Sequence, residues 1–190
     1  LHFTIQIKMN FKKTFIFFLF TILMYSSKAQ FNIPYFLREG INDLTKSNYS
    51  EALKRFNTII DIKSNSWEAY YLRGISKFYL GDYLGARNDF DKGININPFF
   101  SELYLYKGIT FQVFNDYLAA HDNFEKAQKL DPVNPSIYAS EGLILLAKEN
   151  YYDALTAFSK ALSLNKEYED VFFYRAICYT ELKDKEKAFS

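Results

Sequence analysis

Residues 101–134 read SELYLYKGITFQVFNDYLAAHDNFEKAQKLDPVN, and their key residues recur at a fixed interval along the chain. Gly108 belongs to a series, Gly40, Gly74, Gly108 and Gly142, whose members lie 34 residues apart. Tyr117 belongs to the series Tyr49, Tyr83, Tyr117 and Tyr151, and Phe124 to Phe56, Phe90, Phe124 and Phe158. Ala120 belongs to Ala52, Ala86, Ala120, Ala154 and Ala188, and Pro132 repeats Pro98. Four registers in step without an insertion define a repeat array, in which one unit cannot bury its own apolar face and the stack is the stable object.

An aromatic, a glycine four residues on, a tyrosine nine after that, then Ala, Phe, Ala and Pro is the pattern of Tyr104, Gly108, Tyr117, Ala120, Phe124, Ala127 and Pro132. It resembles the tetratricopeptide repeat. The resemblance implies an all-α fold, a right-handed α-solenoid of antiparallel helix pairs, with first helices lining a concave face. Units are placed at 33–66, 67–100, 101–134 and 135–168, with an incomplete fifth at 169–190. Small residues at Gly74 and Ala86 let paired helices approach, and Phe90 fills the space between them. Asp82 and Asp116 are expected to cap the second helices, and Pro98 and Pro132 to end them. Departures from the pattern (Ile59 for the second Ala, Ser64 and Lys166 for Pro, Ala176 for Gly) are expected to weaken the end units and their turns.

The resemblance places groove-lining positions at the fifth, ninth and twelfth residues of each unit. The fifth holds Leu37, Tyr71, Leu105, Ala139 and Phe173, and the twelfth Leu44, Phe78, Gln112, Leu146 and Thr180. The ninth is Ile or Leu throughout (Ile41, Ile75, Ile109, Leu143, Ile177), which reads as core. The expected partner-binding groove is Leu37, Tyr71, Phe78, Tyr79, Leu105, Gln112 and Phe173, with Tyr71 and Phe78 offering exposed faces. Its partner is another protein or a peptide segment. Leu37 and Ile41 stand where relatives that grip a C-terminal carboxylate carry Lys and Asn, which argues against that mode. The seventh position is charged in every unit (Glu39, Arg73, Lys107, Glu141, Arg175), and pairs between neighbouring members of this ladder are expected: Glu39 with Arg73, Lys107 with Glu141, Glu141 with Arg175.

Composition narrows the function classes. The formal charge is +1, but residues 1–29 hold four lysines and no acid, leaving 19 basic against 22 acidic residues in the remainder. Nucleic-acid binding is not expected without a basic face. One cysteine, Cys178, and two histidines, His2 and His121, leave too few ligands for a His/Cys metal site, and no metal or cofactor is expected. The glycines sit at the repeat period and form no phosphate loop. No nucleophile–His–acid set is evident, so no catalytic residues are assigned and the chain is not expected to be an enzyme. His121 reads as a surface histidine without a perturbing partner, and Cys178 as a buried inert thiol.

The N-terminal part reads as a secretory signal. Residues 1–8 read as an upstream or overcalled segment and 9–29 as the signal. Lys12 and Lys13 precede an apolar run, Thr14 to Tyr25, and Ser27 and Ala29 supply small residues before Gln30. That run is short of the ~20 residues of a bilayer span, so no stable membrane span is expected after cleavage. The chain is therefore expected to be an exported scaffold, periplasmic or extracellular in a bacterium. Two other readings stay open. The chain is the recognition region of a longer protein with an effector domain after residue 190, or its aromatic groove (20 Phe, 16 Tyr and 1 Trp in the chain) takes a glycan or small ligand.

Overall fold

The computed structural model describes residues 32–182; the signal-like segment and Ala188 lie outside them. Among the described residues there are nine helices and no strand. First helices are α1 (Ile33–Thr45), α3 (Trp67–Tyr79), α5 (Ser101–Val113), α7 (Pro135–Ala147) and α9 (Glu169–Glu181). Second helices are α2 (Tyr49–Ile62), α4 (Tyr83–Ile96), α6 (Tyr117–Leu130) and α8 (Tyr151–Leu164). α1, α3, α5 and α7 each pack on the second helix of their own unit, and each described second helix packs on the next first helix. Successive first helices also meet (α1 with α3, and so on to α9), and no such recurring contact joins successive second helices. The stack therefore curves with the first helices on its inner side.

Sterics account for the repeated residues. Phe56, Phe90, Phe124 and Phe158 are wholly buried between the helices of their units. Each ring edge rests where a Cβ on the unit's glycine would stand: an alanine at position 74 would put its Cβ 2.5 Å from Cε1 of Phe90. Only glycine permits that approach, and each buried ring contributes roughly 1.5–3 kcal/mol.

Adjacent units interlock by size. Ile59 of α2 packs with Ala69 of α3, whereas Gly93 of α4 receives Leu103 of α5. Ala127 packs in one cluster with Ile137, and Ala161 in another with Val171. The departure at Ile59 is thus matched across the junction by a small partner, Ala69. The fully buried line on the first helices runs through Leu103, Ile137 and Val171 and through Thr110, Ile144 and Cys178. The ninth register, expected to be core, is half-buried, and Ile41 is 42% exposed. Helix rotation explains this: the third and tenth residues point squarely at the neighbouring second helix.

The turns within units share one geometry. Ser47, Gly81, Asn115 and Glu149 all adopt left-handed backbone conformations with φ of 59°, 83°, 58° and 59°. The amide of the following residue donates back to the first helix, as Asp82 N does to Lys77 O, closing a Schellman turn. Asp82 and Asp116 then cap the second helices, accepting from the amides of Gly85 and Ala119. Second helices have 14 residues with or without a following proline. Ser64 and Lys166 therefore cost no boundary, because packing of the next unit already fixes it.

Charged pairs inside units 1 and 2 occupy one register with opposite polarity. Asp43 of α1 pairs with Arg55 of α2, and Lys77 of α3 with Asp89 of α4 at 2.8 Å. Leu145 and Ala157 take the same places in unit 4.

Candidate functional site

On the inner side, the expected groove residues divide by burial. Tyr79 is 53% exposed and Phe173 65%. Leu37, Phe78 and Gln112 are half-buried. Leu105 is 3% exposed and belongs to the core around Phe124, so it is withdrawn from the groove; α5 lies between α3 and α7, and its fifth residue is enclosed. Tyr71 is also less open than expected. Its ring meets Phe100 edge-on at 5.1 Å and Tyr106 at 5.8 Å. Burial pushes the phenols of Tyr71 and Tyr106 above their ordinary range.

Phe78 and Tyr79 open a second aromatic chain. Tyr79 stacks on Tyr49 with centroids 4.8 Å apart, and Phe78 meets both Tyr79 (5.5 Å) and Tyr83 (5.2 Å) edge-on. Tyr83 in turn reaches Phe114 at 6.1 Å. The chain runs along the turn edge of the array, where Leu80, Leu84, Val113, Phe114 and Leu118 are exposed. This apolar edge was missed in the sequence, although the tyrosine register marks it. Tyr49, Tyr83 and Tyr117 each touch the end of the next first helix, at Tyr79, Phe114 and Lys148.

The charged ladder pairs differently from expectation. None of the three expected neighbour pairs is formed among the described ion pairs. Arg73 donates to Asp89 within its unit and, through Nη1, to Asn57 Oδ1 of the preceding second helix at 2.8 Å. Lys107 meets Asp91 at 2.6 Å, again on the preceding second helix. Glu141 reaches back to His121 Nδ1 at 2.6 Å. A seventh-position side chain lies over the second helix of the unit before, nearer than its counterpart one helix pair away. His121 therefore has a carboxylate partner, contrary to the sequence reading. Cys178 is fully buried, and burial raises its thiol above the ordinary range. No group of three or more metal-ligating side chains occurs among the described residues.

An α-solenoid whose inner side is lined by successive first helices, with apolar and aromatic side chains left open, is the architecture of a helical-repeat scaffold. Models of the tetratricopeptide repeat match residues 68–100 and, in two overlapping copies, 105–164 and 139–189. Together these matches span more than half of the chain, which belongs to the tetratricopeptide repeat family. No curated protein matches it in sequence. Among solved structures it is similar to residues 41 to the end of MamA from Desulfovibrio magneticus RS-1, with 22% identity, 82% of this chain and 88% of that one covered, and a TM-score of 0.68. It is similar to PilF of Pseudomonas aeruginosa at 17% identity, 82% and 71% coverage and a TM-score of 0.74. It is also similar to YrrB, described as a tetratricopeptide repeat protein with an unusual peptide-binding site, at 18% identity, 80% and 79% coverage and a TM-score of 0.59. These likenesses establish the fold. That fold is typically a non-enzymatic scaffold for protein–protein interaction.

Proposed function

We propose that the chain is an exported scaffold that holds an extended or helical segment of a partner protein on its inner side. The observation that carries this reading is the apolar surface left open on first helices, where Tyr79 of α3 and Phe173 of α9 stay exposed and Leu37 and Phe78 are half-buried. Each apolar anchor seated there would contribute roughly 1.5–3 kcal/mol. Peptide is favoured over glycan because Tyr79 already stacks on Tyr49 and the half-buried Tyr71 ring is met edge-on by Phe100 and Tyr106, which leaves few flat ring faces for a sugar.

Panning a random peptide library against the chain tests the reading. Selected apolar peptides should lose about tenfold or more in affinity to Tyr79→Ala combined with Phe173→Ala, with helicity unchanged. Unaltered affinity would move the binding face elsewhere. Export is tested by sequencing the N-terminus of the protein recovered from its host: a start at Gln30 supports it, and a retained residue 9–29 segment in the cell interior refutes it.

A further inference from the structure

We propose that the turn edge of units 2 to 4 is the face on which two copies of this chain pair. Leu84, Leu118 and Tyr152 take the second position of α4, α6 and α8, 34 residues apart. All three are exposed, Leu118 and Tyr152 to 73% each. Leu80, Val113 and Phe114, at the ends of α3 and α5, lie on the same edge and are roughly half exposed. Contacts between neighbouring units make the edge continuous. The Tyr83 ring meets that of Phe114 at 6.1 Å, and the Lys148 ammonium lies 5.7 Å from the Tyr117 centroid. The patch stops where the same registers turn polar, at exposed Lys46 and Ser50 in unit 1 and at Lys148 in unit 4.

Size and composition choose the occupant. Single exposed leucines are ordinary on a protein surface, whereas a stripe repeated over three units is not. At ~200 Å² for each residue when fully exposed, the six leave roughly 700 Å² open. That exceeds the ~300–600 Å² of the largest apolar patch on a typical monomer. It approaches the ~800 Å² that each partner of a stable complex buries. Interfaces that form and part are about as polar as the rest of a surface, while those between identical subunits are richer in apolar groups. A two-fold contact sets one surface against itself, and a face of Leu, Val and aromatic side chains meets its own copy without leaving a charge unmatched. The carboxylates of Asp82 and Asp116 on this edge already accept from helix amides. Leu84, Leu118 and Tyr152 belong to second helices, so the pairing leaves the inner side of the array free and does not depend on the peptide reading.

The test is sedimentation equilibrium of the protein recovered from its host, with the chain mass taken from mass spectrometry. Expected is twice the chain mass at micromolar concentration. Leu118→Glu should raise the dimer dissociation constant about a hundredfold or more, since a two-fold contact counts each substitution twice. Leu118 is mostly in solvent, so helicity by circular dichroism should stay unchanged. Leu84→Glu, also at an exposed position, gives an independent reading in the neighbouring unit. Val133 is 67% exposed in the loop between α6 and α7, at the far end of the helices, and Val133→Glu should leave the mass doubled. A monomer at every concentration, a dimer that either leucine variant leaves undiminished, or one that Val133→Glu disrupts equally would overturn the proposal.

Discussion

Arg73 and Asp89 face each other fork to fork: Nε donates to Oδ2 at 2.8 Å and Nη2 to Oδ1 at 2.6 Å. Asp89 is 2% exposed and also receives Lys77 at 2.8 Å, so one buried carboxylate balances two cations. Burial opposes the charge of Arg73, but its hydrogen bond and attraction to Asp89 outweigh that and hold its pKa above the ordinary value. Asp89→Ala leaves both cations without their acid. A loss of about 3–5 kcal/mol is expected, read as a lower urea midpoint.

Gly74→Ala adds one methyl against the buried ring of Phe90. Overpacking of this kind costs about 1–3 kcal/mol, more than alanine's helix preference returns. The same substitution in a Phe90→Leu background should cost less, because the atoms it strikes are gone. Urea denaturation of the four proteins in this cycle measures the coupling, and strict additivity would refute the steric account.

Glu149 holds a left-handed turn that glycine holds in unit 2. Glu149→Gly should stabilise the chain by roughly 1 kcal/mol, since a side chain is strained there, and raise Tm by about 2–4 °C. Calorimetry decides it; a fall in Tm would mean that the glutamate makes a compensating contact.

Tyr71 gives an alkaline limit. Its phenol ionises less readily in the folded chain than in the unfolded one, because burial opposes the anion. Its contribution is complete below the ordinary phenol pKa of ~10 and declines by about 1.4 kcal/mol per pH unit above it. Tyr71→Phe keeps the ring contacts and removes the proton, so its alkaline unfolding midpoint should move to higher pH. Circular dichroism across the alkaline range checks this.

The repeat was legible because its causes are local and steric. Gly74 with Phe90, or Asp82 with the Gly85 amide, can be read from spacing alone. Lateral pairing was not legible. Whether Arg73 turns to Asp89 and Asn57 or to Glu39 depends on how far α3 is rotated over α2, and no spacing within a unit encodes that rotation. The same rotation decided the groove. It enclosed Leu105, left Tyr71 half-buried and Phe173 open, and brought Tyr49 under Tyr79 from different units.

The exchanged polarity of Asp43–Arg55 and Lys77–Asp89 has a consequence for assembly order. Near-identical units face an addressing problem, since a first helix could dock on the wrong second helix while the array forms. Pairing α1 with α4 as if within one unit would set Asp43 against Asp89, and pairing α3 with α2 in that within-unit geometry would set Lys77 against Arg55. Both mistakes bring like charges together in a partly buried seam, which is disfavoured. The exchanged polarity therefore sets like charges together whenever the first two units trade helices within a pair.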